Sequence, residues 1–284
     1  MNTLCWSIRR ELWENRSIYL GPLAVGGIFL TGFLISLIGL PGRVRAALAL
    51  GPMAQRAAIE QPFVAAAIML MAIMLIIAVV YCLDAFYGER RDRSILFWKS
   101  LPVSDLTTVL SKAIIPNLVI PLVTFTLTVV TQLIMLLVSS AVLAASGIGV
   151  DPLWEHVPFF KTTLLNFGHI VVYHGIWYAP FYGWLLMVSA WANRAPFLWA
   201  TLPPLAVGVV ERVAFNTSHF AALVQYRFMG DPGSEEFAGG MTMDMIGPQG
   251  VGAYLISPAL WVGLAVTAAF LFAAIRLRRS RGPI

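Results

Sequence analysis

Six apolar runs, most of them ~20 residues or longer, restrict the fold of this chain more than any other feature. That is the length an α-helix needs to cross the hydrocarbon core of a bilayer. The runs cover residues 18–40, 62–83, 114–138, 170–192, 197–215 and 251–275, and the fifth sits at the lower limit. Composition agrees: 59% of the 284 residues are hydrophobic and 12% are charged, against about 25% charged in a soluble domain. The spread of the runs predicts an all-α polytopic membrane protein with six transmembrane helices. It forms a single transmembrane domain over residues 1–284, with no soluble domain attached.

Orientation follows from Lys and Arg placement. With both termini inside, 13 of the 19 basic residues fall in cytoplasmic segments, Arg90, Lys112 and Arg279 among them. The six on the outer side are Arg43, Arg45, Arg56, Lys161, Arg212 and Arg227. The sequence pI of 9.5 therefore reads as topology and contact with anionic headgroups of the lipid bilayer. No basic patch is interleaved with exposed aromatics, so nucleic acid is not an expected partner. Arg9, Arg10, Glu11 and Glu14 precede the first run and no small-residue cleavage site follows it, so no cleavable signal peptide is expected. That fits a multi-pass protein of a bacterial cytoplasmic (inner) membrane. Cys5 and Cys82 fall on the cytoplasmic side or in a span, and no disulfide is expected between them.

Three segments do not span. Residues 2–15 place Leu4, Cys5, Ile8 and Leu12 on one helical face, with Arg9, Arg10 and Glu14 off it, which predicts a helix lying in the cytoplasmic interface. Residues 141–165 form an outer loop with Trp154, Phe159 and Phe160. Residues 216–250 form the longest outer segment, rich in Gly and Met and carrying Asp231, Glu235, Glu236 and Asp244.

The segment at 87–105 is a charged, amphipathic island between the second and third runs. Glu89 and Asp92 suit the positive end of a short helix. Ile95, Leu96, Phe97 and Trp98 follow as four consecutive apolar residues, an odd choice for a solvated loop. Pro102 ends that helix, and Ser104 or Asp105 can cap the next.

This stretch resembles the membrane subunits (permeases) of ABC transporters of the type-2 exporter class. Glu89-Arg90, Ile95-Leu96, Ser100-Leu101-Pro102-Val103-Ser104 and Lys112 carry the resemblance, and the interfacial helix, the six spans and the large outer segment extend it over the whole chain. Many members have Gly-Thr or Gly-Ser where this chain has Arg93-Ser94. The resemblance implies that residues 87–105 hold a coupling helix that docks on a separate ATPase subunit. Glu89, Arg90, Arg91 and Asp92 would then give the polar contact, and Ile95, Leu96 and Trp98 the apolar one. It implies a second permease copy or a sister permease as a further partner, and a path at the subunit interface lined by spans two and five.

No Gly-x-x-x-x-Gly-Lys-Ser/Thr phosphate loop occurs in the sequence. The chain is therefore expected not to be an enzyme and to carry no cofactor of its own, with ATP and Mg on the partner ATPase. The rival class, a membrane-embedded enzyme, would have to use His169, His174, Asp84 or Glu211. His169 and His174 are five apart, about 140° around an α-helix, so they are not expected to converge as a metal pair does, and no metal site is predicted. A structural or sensory membrane protein is the other alternative. In span two, Met69, Met71 and Met74 are adaptable side chains suited to an amphipathic or hydrophobic cargo such as a peptide, an antibiotic or a lipid. In span five, Pro203-Pro204 is expected to kink the helix, and Glu211 lies just beyond. Thr124, Thr126, Thr128, Thr131 and Gln132 of span three are expected to hold helices together.

Overall fold

Helices account for nearly all of the described chain. The computed structural model describes residues 3–229, 256–282 and 284, among which there is no β-strand. Asp231, Glu235, Glu236, Asp244 and the first residues of the sixth run lie outside the described residues. Five helical stretches are long and apolar enough to cross a membrane: Ser17–Leu48, Pro52–Arg91, Asp105–Ala145, Pro196–Phe215 and Pro258–Ser280.

The chain opens on α1 (Thr3–Glu14), followed by α2 (Ser17–Ser36), a single 3-10 turn and α3 (Leu40–Leu48). After α4 (Pro52–Asp84) come the short helices α5 (Tyr87–Arg91) and α6 (Ile95–Ser100). The third apolar run is α7 (Asp105–Ile114), a π turn (Ile115–Val119) and α8 (Ile120–Ala145) in unbroken succession. Pro116 has no N–H to give to the ladder, so the turn widens around it. Then come α9 (Asp151–His156) and α10 (Phe159–Asn166).

The fourth run is a composite rather than one α-helix. α10 passes into a π-helix over Phe167–Trp177, then Tyr178, then α11 (Ala179–Trp191). Here Gly175 faces the other π turn. A Cβ at Gly175 would fall on the carbonyl oxygen of Asn117, so the two widened segments approach backbone to backbone only because residue 175 has no side chain.

α12 (Pro196–Phe215) runs through Pro203 and Pro204 as one helix. α13 (His219–Met229) and α14 (Pro258–Ser280) complete the described chain. α11 packs along α14 and against α4, while α2, α4 and α8 form the other side of the bundle. One apolar core gathers around Met74, Trp177, Tyr182 and Ala274, and a second around Phe33, Phe63, Met135 and Leu153.

Of the third-span polar residues, Gln132 ties neighbouring helices, whereas the Thr126 and Thr128 hydroxyls donate to carbonyls of their own helix. Gln132 Nε2 donates to the Phe63 carbonyl at 3.1 Å and its Oε1 accepts from Asn166 Nδ2 at 2.8 Å, which joins α8, α4 and α10. Thr124, Thr128 and Thr131 are buried in the same bundle. α12 differs from its neighbours: Ala200 is its single buried residue, and Leu202, Leu205, Val209 and Val213 are exposed.

Both chain ends reach the same end of the bundle. Lys112, near the start of the third span, contacts Glu11 of α1, and the Ile284 N–H donates to the Arg90 carbonyl at 3.2 Å.

Candidate functional site

At that end the segment between α4 and α7 folds into two short helices, for local reasons. α6 stops where Leu101 turns extended (ψ 149°), as a residue before proline must. Ser104 is the cap of α7: its Oγ accepts the Thr107 N–H at 3.1 Å, while Asp105 sits in the first turn. Between α5 and α6 the chain turns through Arg93, whose φ is 59°. This left-handed backbone costs a side-chain-bearing residue about 1 kcal/mol relative to glycine. Glycine would take this conformation without that cost, so the arginine is what strains the turn. Arg93→Gly is therefore expected to stabilise the protein by about 1 kcal/mol. A thermal melt in mild detergent reads this directly, and an unchanged or lower Tm would remove the strain argument.

Beneath the two helices lies a cluster of six charges from four parts of the chain. Lys112 Nζ is 2.9 Å from Glu11 Oε1 and 3.2 Å from Glu89 Oε1. Arg278 Nη1 is 2.6 Å from Glu89 Oε2, and its Nε is 3.1 Å from Asp105 Oδ1. Arg10 Nη2 is 2.6 Å from Glu11 Oε1, and the Tyr81 hydroxyl donates to Glu11 Oε2 at 2.9 Å. Glu11, Lys112, Arg278 and Glu89 are 1, 3, 4 and 9% exposed, so water does little to screen them. Three carboxylates meet three cations and the cluster is neutral overall, the condition under which buried charges are tolerated.

Burial alone would push the Glu11 carboxyl up, but the Lys112 ammonium and the Arg10 guanidinium outweigh it and hold Glu11 below its ordinary value. A depressed carboxyl stabilises the fold fully above its unfolded value, about 4.3, and loses that contribution as pH falls through its folded value. The Tm is thus expected to drop below about pH 4, with a smaller drop in Glu11→Gln. Parallel pH profiles of the two proteins would dismiss Glu11 as a source of the acid sensitivity.

The cluster changes the roles of several residues singled out in the sequence. Glu89 points inward as the hub of the ion pairs, and Arg90 is buried beside it. The Arg90 guanidinium donates to the carbonyls of Ala190 and Ala192 and to Asn193 Oδ1, clasping the turn after α11. Neither offers a free polar contact to a soluble partner. Ile95 is buried as well, and Trp98 lies under the Arg10 guanidinium at 3.9 Å, which binds α6 to α1. The exposed residues of the island include the charged Arg91, Asp92, Arg93 and Lys99 and the apolar Leu96 and Phe97, both of the latter 59% exposed. Phe97 joins this group although the sequence reading passed over it in favour of Trp98.

Glu11 was also missed as a partner. It stands three residues after Ile8, on the inward stripe with Leu12, and an acid on such a stripe is the available signal. Cys5, assigned to that stripe, is exposed. The outward face of α1 instead carries Trp6 and Trp13 around the Arg9 guanidinium, at 5.5 and 4.7 Å, which suits a headgroup layer.

Among the candidate path residues, Met74 is fully buried in the first core, and Met69 and Met71 are half-buried. The face that α4 leaves open carries Ile68, Ala72, Ile76 and Val80, four residues apart. Glu211 accepts from the Thr217 hydroxyl and from the backbone N–H groups of His219 and Phe220, at 2.7–2.9 Å. It therefore closes the turn into α13, with Pro203 and Pro204 on the same helix. Asp84 ends α4 and lies 3.9 Å from Arg91.

His169 and His174 do come together, with ring centroids 5.1 Å apart. The α-helical spacing argument fails because a π-helix closes its hydrogen bonds five residues on, which brings residues i and i+5 round to one face. Both rings pack on Tyr173, and His174 also packs on Tyr178. Among the described residues no group of three or more His, Cys, Asp or Glu side chains is placed to hold a metal.

Comparison with known protein families, with curated proteins and with solved structures finds no match to this chain.

Proposed function

We propose that this chain is the membrane-spanning permease subunit of an ATP-driven exporter of the ABC type-2 class. It crosses a bacterial cytoplasmic membrane six times with both termini inside. Five long apolar helices and the composite fourth run add up to six crossings, an even number in keeping with chain ends that meet at one end of the bundle. The excess of Lys and Arg on that end supports a cytoplasmic placement.

The observation that carries the reading is a short helix, α6, that presents Leu96 and Phe97 outward while the buried charge cluster holds its base. A loop that only set topology would need neither the exposed apolar pair nor an anchor to α1, α7 and α14. An apolar knob on a rigid mount is what a docking partner can push. Movement of α6 would pass through Glu89 to Lys112 and Arg278, and so to the first and last elements of the chain and the third span.

ATP and Mg²⁺ are bound by the partner ATPase in this scheme, and its closure drives the push. The unpacked α12 and the open face of α4 are the surfaces against which a second permease copy, or a sister permease, would pack. Their apolar character favours an amphipathic or hydrophobic cargo.

The test is a pull-down of the tagged full-length chain from its native membrane in mild detergent, with mass spectrometry of what is retained. An ATPase with a phosphate loop, at about one copy per chain, supports the reading. A preparation without such an ATPase, repeated after crosslinking, overturns it.

A further inference from the structure

A second feature stands at the end of the bundle away from the charge cluster. There α2, α3, α4, α8 and α9 line a half-open cavity of about 730 Å³, within the range of sites that hold an organic ligand. Phe29 and Phe33 of α2, Val44 and Ala47 of α3, Phe63 of α4 and Leu153 of α9 form its walls. The polar residues of the lining are Ser36, Arg43, Gln61 and Ser139.

Arg43 is the one charged residue among the described lining residues, and no carboxylate accompanies it. Its Nη2 donates to the Ser36 carbonyl at 2.6 Å and to Ser36 Oγ at 3.3 Å, which fixes the guanidinium at the rim. A guanidinium has five N–H donors, so donors remain for an anion.

α3 itself has the pattern of an interfacial helix. Val44 and Ala47 are buried, while Arg43 and Arg45 are exposed. The cavity therefore pairs apolar walls at the depth of the acyl chains with an uncompensated cation at the depth of the headgroups.

We propose that this cavity binds a phospholipid with a net-negative headgroup, an acyl chain between α2 and α4 and the phosphate on Arg43. Arg43 then sets specificity by charge and the cavity sets it by shape. The proposal needs only that α2 and α4 cross a bilayer, so it stands or falls separately from the exporter reading. With the orientation given above, the lipid comes from the outer leaflet.

The full-length chain, with any partner retained, is reconstituted in phosphatidylcholine vesicles containing phosphatidylglycerol. It is then taken up in mild detergent and weighed intact by native mass spectrometry. Phosphatidylglycerol is expected to stay with the chain in preference to phosphatidylcholine by about tenfold, the scale of one charge-assisted contact. Arg43→Glu should remove that preference, and Arg45→Glu, the same charge change outside the lining, should keep it. Ala47→Trp should fill the cavity and release both lipids while the Tm in detergent holds. Equal retention of the two lipids, equal effects of the two arginine variants, or retention that survives Ala47→Trp would each overturn the proposal.

Discussion

Replacing Lys112 with methionine is expected to destabilise the folded bundle by about 3–5 kcal/mol. Few single changes in this protein should cost more. The ammonium lies between Glu11 and Glu89, within 3.2 Å of both. Methionine matches its length but not its charge, so two carboxylates stay buried with one cation fewer. Glu89 would keep Arg278 and Glu11 would keep Arg10, yet the cluster would carry a net negative charge where water cannot reach it.

A second change distinguishes this from lost packing. Lys112→Met combined with Glu11→Gln restores neutrality, so the pair should cost less than the sum of the two single changes, by 0.5–3 kcal/mol in the usual range for contacting residues. Equilibrium unfolding in mixed micelles, read by tryptophan fluorescence, measures all three variants. A loss under about 1 kcal/mol for Lys112→Met, or strict additivity in the double variant, would mean that the ion pairs contribute little. The route from α6 to the spans would then have to run through packing alone.

The coarse fold was legible because it rests on local quantities. Run length identifies the spans, Pro102 ends α6 and Ser104 caps α7, and each of these can be read within a few residues. The roles of Glu89 and Arg90 could not be read that way. Their charges look solvent-facing in a loop, and what turns them inward is a set of partners about 80 to 190 positions away: Arg10, Ala190, Ala192 and Arg278.

The π-helix over Phe167–Trp177 was hidden for another reason. Its residues suit an α-helix equally well, and the wider turn goes with the close approach of Gly175 to Asn117 on the third span. A contact between spans cannot be seen in either span alone. The same holds for Met74, whose flexibility argued for a path and which lies fully buried in the first core, where α4 packs on α11. The exposed pair at Leu96 and Phe97 was half legible: the apolar run was plain, but which of its four members faces out depends on where Arg10 and the base of the cluster lie.

That pair supports the second large prediction. Leu96→Asp combined with Phe97→Asp is expected to abolish capture of the ATPase and leave the bundle folded. A Leu or Phe side chain contributes about 1.5–3 kcal/mol when it moves from water into an apolar pocket. Losing two of them, and forcing two carboxylates toward that pocket, lowers affinity by at least two to four powers of ten. Stability should hardly change, because both side chains are mostly exposed and surface substitutions usually stay within about 0.5 kcal/mol.

Ile95→Asp on the same helix provides the contrast. Ile95 is buried, so a carboxylate there strikes the fold itself, and its effect on capture should be accompanied by a lower Tm. Pull-down and thermal melt, run side by side, separate a lost docking surface from a lost mount. If the Leu96 and Phe97 double variant still brought down the ATPase at the wild-type ratio, α6 would not be the contact, and the push would have to enter elsewhere at this end of the bundle. The outward face of α1, where Trp6 and Trp13 flank Arg9, would then be the next surface to change.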